Sequence, residues 1–258
     1  MKTLIKDSLN FKSLSFIKEL IPKKSIVSSF LLYSGALACG LAKDERYVTS
    51  HTGKHRIYEF WSCVLADPRR VSDNTKYIYN MLTKVSPREL ENLFIALQKD
   101  SGDSPDFYVR SAYFFLLNQI SGSGSISSGK MDLKNFNPIS LHTLQNFKIN
   151  NFHLSYENDG EFLEILNKQD SDFLLLPVGE YSHNLFERGK NKGPETTTVY
   201  HKQLFQSLVD IDKKWVIVYK KHLEVFELYK HYNMFMVDKY GKRTIKKDKC
   251  EDIIIANF

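Results

Sequence analysis

Side chains that could do chemistry are spread thinly along this sequence, and most come without the neighbours their chemistry needs. His51 and His55 stand four apart, the spacing that lets two imidazoles on one helix face hold a metal ion. Gly53 between them weakens a helix and no third ligand is placed, so no metal site is expected. Ser34 lies in a short turn after an apolar run but lacks the Gly-x-Ser-x-Gly frame that presents a hydrolase nucleophile. Cys63 falls in a helical stretch and reads as a core residue rather than a nucleophile. His183, His201 and His222 are scattered, each suited to one local hydrogen bond. The densest feature is charge: residues 213–249 hold 11 basic and 4 acidic residues, a local +7 within a whole-chain +6. Such a surface can contact phosphates, or it can be no more than solvated lysines on a helix and a hairpin.

These residues need a scaffold, and the apolar pattern supplies one. Residues 16–21, closed by Pro22, predict a short helix; 26–32 a buried strand; 33–35 a turn; and 36–42 a helix. A strand over 47–50 and a helix over 56–65, stopping near Asp67-Pro68, complete the order that opens a doubly wound α/β sheet. Helical periodicity takes over at 73–82, 87–99 and 107–118, followed by a Gly/Ser-rich loop over 119–129 that ends at Lys130 and Met131. From residue 147 the alternation returns, with strands at 151–155, 172–176 and 215–219. Helices at 161–167, 200–208 and 223–231 accompany them, and a long polar loop covers 179–198. Two apolar segments, 233–237 and 251–257, flank Tyr240-Gly241-Lys242-Arg243 and predict an antiparallel hairpin. The expected organisation is an α/β domain from residues 1–66 and 147–258, interrupted by a helical insertion over 67–146.

Length and composition fit that scheme. The 258 residues are 42% apolar and 26% charged, values of a globular protein able to bury roughly 70–75% of its unfolded surface without metal or disulfide support. Cys39, Cys63 and Cys250 form no CxxC pair, which disfavours a zinc ribbon or secreted disulfide scaffold and favours a reducing, cytoplasmic compartment. Residues 1–10 carry Asp7 and no continuous apolar stretch, so no signal peptide is expected. The uncharged run over 26–42 spans 17 residues, short of the ~20 a membrane helix wants. Its Ser28, Ser29, Ser34, Gly35 and Gly40 suit soluble core, and no membrane partner is expected.

Four stretches together resemble the Dam-type, D12-class DNA adenine-N6 methyltransferases, from about residue 12 to residue 258. Ser34-Gly35-Ala36-Leu37 is similar to the end of that family's glycine-rich cofactor turn. Residues 112–118, Ala-Tyr-Phe-Phe-Leu-Leu-Asn, are similar to the helix before its DNA-contacting loop. Residues 172–176 look like the strand leading into its catalytic motif, and 251–258 like its terminal strand. The resemblance implies an α/β, Rossmann-like S-adenosylmethionine-dependent methyltransferase fold with a helical insertion and a C-terminal antiparallel hairpin. The insertion would correspond to a DNA target-recognition subdomain. Implied chemistry follows: a turn and an acid hold S-adenosylmethionine, while an Asp-Pro-Pro-Tyr motif fixes the amine of an extruded adenine and stacks on its ring.

At those points the sequence departs from the family. Pro177, Val178, Gly179 and Glu180 stand where it has Asp, Pro, Pro and Tyr. Proline offers no side-chain acceptor and glutamate no ring. Tyr181, one position on, is left as a candidate stacker, and Asp172 lies roughly 16 Å away at the far end of the strand. In the turn, Tyr33 replaces the first glycine ahead of Ser34, Gly35 and Ala36, with Ser29 and Leu31 at the family's acidic and aromatic positions. Ser50 and His51 occupy the place of the ribose-binding acid, and Glu59, the nearest acid downstream, is expected inside the next helix.

The resulting expectation is a methyltransferase-like protein with a vestigial cofactor turn, no catalytic residues and no cofactor, acting as a DNA-binding or protein-partner module. One alternative is a divergent, active adenine methyltransferase that uses S-adenosylmethionine and Tyr181. Another is a structural or viral assembly protein on the same fold. Duplex DNA would meet Asn118, Gln119, Ser121, Ser123 and Lys130 in the insertion, and Lys242, Arg243, Lys246 and Lys247 in the hairpin. The setting implied is the cytoplasm of a bacterial or virus-infected cell.

Overall fold

Eight strands among the described residues share one sheet in the computed structural model, which describes residues 3–100, 104–122, 124, 126, 131–157, 162–181 and 199–258. They are β1 (Ile26–Ser29), β2 (Tyr47–Thr52), β3 (Phe152–Tyr156), β4 (Phe173–Gly179), β5 (Lys214–Lys220), β6 (Asn233–Asp238), β7 (Arg243–Thr244) and β8 (Cys250–Ala256). Their order across the sheet is β3-β2-β1-β4-β5-β8-β6-β7. β1 to β5 are parallel, β8 is antiparallel to both β5 and β6, and β7 is antiparallel to β6. The chain winds outward from β1 to β3, then starts again beside β1 at β4. That reversal is a topological switch point, where an open α/β sheet leaves a crevice beyond the carboxyl ends of its strands.

Both faces of the sheet are covered, and the strand sequences say why. β4 and β5 carry near-continuous apolar runs, Phe-Leu-Leu-Leu and Trp-Val-Ile-Val-Tyr, whose successive residues point to opposite layers. Phe173, Leu175, Val216 and Val218 join Val27 and Val48 in one layer. Over it lie α1 (Leu14–Leu20), α2 (Ala36–Ala42), α3 (His55–Ala66), α4 (Pro68–Leu82), α5 (Pro87–Asp100), α6 (Phe107–Ile120) and α7 (Pro138–Gln145). Leu174, Leu176, Trp215, Ile217 and Tyr219 face the other layer, with α8 (Phe162–Ile165), α9 (His201–Val209) and α10 (Leu223–Leu228). Leu174, Leu175 and Leu176 are fully buried, each worth roughly 2 kcal/mol relative to exposure.

Helices α4 to α7 share the first layer. Phe114, Phe115, Leu116 and Leu117 of α6 are all buried, and Phe115 lies parallel to Phe60 of α3 with ring centroids 6.2 Å apart. Val71 of α4, Phe115 of α6 and Val27 of β1 belong to one continuous core.

Several elements differ from expectation for local reasons. Asp67-Pro68 ends α3 and starts α4 at once. The Asp67 carboxylate accepts the Arg70 N–H at 3.0 Å and proline suits the first helical position, so α4 begins at residue 68 rather than 73. β2 continues to Thr52, which puts His51 in a strand and His55 at the start of α3, so the helical histidine pair does not form. β4 does not end at Pro177 but runs to Gly179, a bulge against β5 between them accommodating the proline. The helix expected over 223–231 stops at Leu228, because Tyr229 turns inward and is fully buried near Trp215.

The hairpin is also modified. Segments 233–237 and 251–257 pair as β6 and β8, but the Gly241 turn joins β6 to the short β7 instead. Asp238 Oδ1 accepts the N–H groups of Tyr240 and Lys242, and Gly241 takes φ +79, which closes the turn early. No helix among the described residues is long and apolar enough to cross a membrane.

Candidate functional site

The switch-point crevice is walled by the turn after β1. Phe30 N–H bonds Leu175 O and Leu32 N–H bonds His51 O, so the chain leaves β1 held between β4 and β2. Gly35 takes φ +66, and a Cβ there would stand 2.9 Å from Trp61 Cζ2, so this position needs glycine for both backbone and space. Trp61, on α3, donates its indole N–H to Tyr33 O at 2.9 Å and fixes the turn. Tyr33 reaches across, its hydroxyl donating to Gly124 O at 3.1 Å. Tyr33, Ser34, Gly35 and Ala36 thus line the crevice together with Phe30 and Pro177.

Asp7, Leu9 and Phe11 of the N-terminal segment line it as well. Asp7 Oδ2 accepts the Ser34 hydroxyl at 2.6 Å, while Oδ1 accepts the Leu9 N–H at 2.9 Å. The Leu9 side chain lies against Gly179, where φ is +84 and a Cβ would come within 2.5 Å of Leu9 Cδ2. About 30 Å³ of cavity remains, a water-sized space. S-adenosylmethionine, the cofactor implied by the sequence resemblance, would share this cleft with Asp7 and Leu9.

At the end of β2, His51 is buried and its ring stacks on Phe30, centroids 4.7 Å apart and 11° from parallel. Its Nδ1 sits 3.3 Å from Glu157 Oε1, which also accepts the Ser155 hydroxyl at 2.8 Å. Burial lowers the imidazole pKa, with Glu157 offsetting part of the effect. Its Nε2 has no hydrogen-bond partner among the described residues. Glu157 is an acid at this corner that sequence reasoning missed, because 106 residues separate it from His51. Glu59 does lie inside α3, where Arg110 binds its carboxylate.

Beyond β4, Pro177 is half-buried, Val178 and Gly179 are buried, and Glu180 is exposed. The Tyr181 ring is sandwiched between His201, at 4.4 Å and 20°, and His222, at 4.8 Å and 26°. Both of its faces are therefore covered, and a base could stack there only after one histidine moved. Asp172 remains at the start of the strand, its Oδ2 accepting the Ile26 N–H at 2.8 Å.

Three of the residues expected to face DNA in the insertion are buried: Asn118, Gln119 and Ser121. Asn118 Oδ1 accepts the Lys6 N–H at 2.7 Å, and its Nδ2 donates to Lys6 O at 3.0 Å and Gly124 O at 2.9 Å. Gln119 Nε2 donates to Leu4 O at 3.1 Å, and Ser121 forms a bridge with Met131. The Asn118 and Gln119 side chains hold the N-terminal segment, while the buried Ser121 hydroxyl has no hydrogen-bond partner among the described residues. Ser123, Lys130 and His183 lie outside the described residues. Lys242, Arg243, Lys246 and Lys247 are all exposed, as are Lys239 and Lys249, so the hairpin end carries six exposed cations around Asp238 and Asp248.

The cysteines offer no nucleophile. All three are buried, and burial pushes the Cys39 thiol up to about 12 and Cys250 up to about 11, and raises Cys63. No cluster of three metal-binding side chains occurs among the described residues.

No family model and no curated protein matches the sequence. Among solved structures, the chain is similar to a predicted O-methyltransferase from Agrobacterium tumefaciens, at 7% identity and a TM-score of 0.36, over 97% of this chain and 79% of that one. At that level the description of the fold rests on the strand order and the two helical layers, not on the neighbour.

Proposed function

We propose that this chain is a methyltransferase-fold protein that has lost methyl transfer and works by binding, with the backbone of duplex DNA as its partner. The strand order, with its antiparallel hairpin on the β5 side, supports the Rossmann-like reading of the sequence resemblance. A single observation carries the loss of transfer: the chain's own Asp7 and Leu9 stand in the switch-point cleft, on Ser34 and against Gly179. Pro177 at the amine-binding position and the covered faces of Tyr181 point the same way. An active enzyme would have to clear the cleft, free the tyrosine and recruit an acid from elsewhere.

The DNA part rests on the hairpin. Its six exposed cations surround one turn, without a fixed set of base-reading groups beside them, so contacts to phosphate would dominate. Fluorescence anisotropy tests this with labelled duplexes that contain or lack adenine-rich sites, across a salt series. The expected result is equal affinity for both duplexes, falling with a slope near −0.9 per phosphate neutralised. No binding even at low salt would overturn the DNA assignment and favour a protein partner.

A further inference from the structure

We infer that the switch-point cleft and the surfaces on either side of it form a peptide groove, and that its occupant is the chain's own segment 3–13. Recognition runs along that whole segment. Asn118 clamps both backbone groups of Lys6, and Gln119 holds Leu4 O. Asp7 meets the Ser34 hydroxyl, Leu9 fills the space over Gly179, and Asp252 Oδ2 accepts the N–H groups of Lys12 and Ser13.

A second observation points to the same groove independently. Gly124, Gly179 and Gly241 come from three separate parts of the chain, and all have φ near +80 (81, 84 and 79). At each of them the nearest obstacle to a Cβ is the N-terminal segment: Lys6 O at 2.6 Å, Leu9 Cδ2 at 2.5 Å and Lys12 O at 2.8 Å. Three glycines therefore open three points of close approach for one segment. The groove reads backbone at Lys6, Lys12 and Ser13 and side chains at Asp7 and Leu9, which makes its ligand a bent peptide, turned at Asn10 (φ +39), with an acidic residue two before an apolar one. Such a ligand explains the polar wall at Ser34 beside the apolar floor at Pro177 and Gly179 without any small molecule.

The test uses the full chain. A fluorescent peptide of residues 3–13 is titrated into the native protein and into the D7A/L9A variant, whose own segment is weakened while its groove is intact. Tethering gives the native segment a high effective concentration, so the native protein should exclude the peptide and the variant should bind it at least ~10-fold more tightly. A peptide carrying D7A and L9A should bind the variant at least ~10-fold more weakly than the native peptide. Equal binding to both proteins, equal binding of both peptides, or no binding to the variant would overturn the inference. Hydrogen exchange on the unmutated protein adds a readout that no misfolded variant can confuse. Slow exchange at the Lys6, Lys12 and Ser13 amides supports the groove, and exchange at the rate of a free chain overturns it.

Discussion

The carboxylate of Asp252, wholly buried in β8, accepts the ammonium of Lys220 from β5 at 2.6 Å. Its other oxygen accepts the N–H groups of Lys12 and Ser13, so one buried charge ties the sheet to the start of α1. A charge taken out of water is tolerable only when its partners are complete, and here they are.

Replacing Asp252 with alanine strands two backbone donors and a lysine. Urea unfolding of D252A should show a loss of about 3–5 kcal/mol, with D252N losing less because the amide oxygen still accepts. A loss below about 1 kcal/mol in D252A would show that the buried pair is not structural.

Gly35 should resist substitution. The left-handed backbone alone costs an alanine about 1–2 kcal/mol, and the new Cβ meets the Trp61 ring at 2.9 Å. Thermal melting of G35A should fall accordingly, with a blue or red shift in tryptophan emission as Trp61 moves. An unchanged melting curve would mean the turn is differently built.

His51 should make stability depend on pH below the ordinary histidine pKa. Because burial holds its pKa below the ordinary 6.5, the unfolded chain takes up a proton here before the folded protein does. Its contribution is complete above pH 6.5 and declines as the pH falls below that value. H51F keeps the stack on Phe30 and should flatten the dependence just below the ordinary histidine pKa of 6.5. If H51F and native protein lose stability in parallel over that range, the proton is taken up elsewhere.

Substituting Lys242, Arg243, Lys246 and Lys247 together with alanine should weaken DNA binding equally on every duplex. The salt slope should shrink by about one per lost phosphate contact. A change confined to one sequence would indicate base reading rather than phosphate contact.

Much of the sheet was legible because its signals are local. Buried runs such as Leu174-Leu175-Leu176, the proline at 22 and the glycine at 35 each fix a short piece of chain, and their order implies the doubly wound arrangement. Boundaries moved where one residue served two elements, as Asp67-Pro68 does, or where a bulge carried a strand past Pro177. The candidate site was only half legible. The departures at residues 177–180 could be read directly, yet the roles of Asp7, Leu9 and Asn118 could not, since their partners lie tens to more than a hundred residues away. Asn118 and Gln119 have types that suit DNA contact, and only three-dimensional placement reveals that they hold backbone instead.

The proposed loss of methyl transfer is tested most directly by incubating the purified protein with radiolabelled S-adenosylmethionine and adenine-containing duplex DNA, then counting label in the DNA. The expected result is no incorporation above the protein-free background, and none after Pro177→Asp and Glu180→Tyr are introduced together, because Asp7 and Leu9 still occupy the cleft. Incorporation by the native protein that disappears in Tyr181→Ala would contradict it.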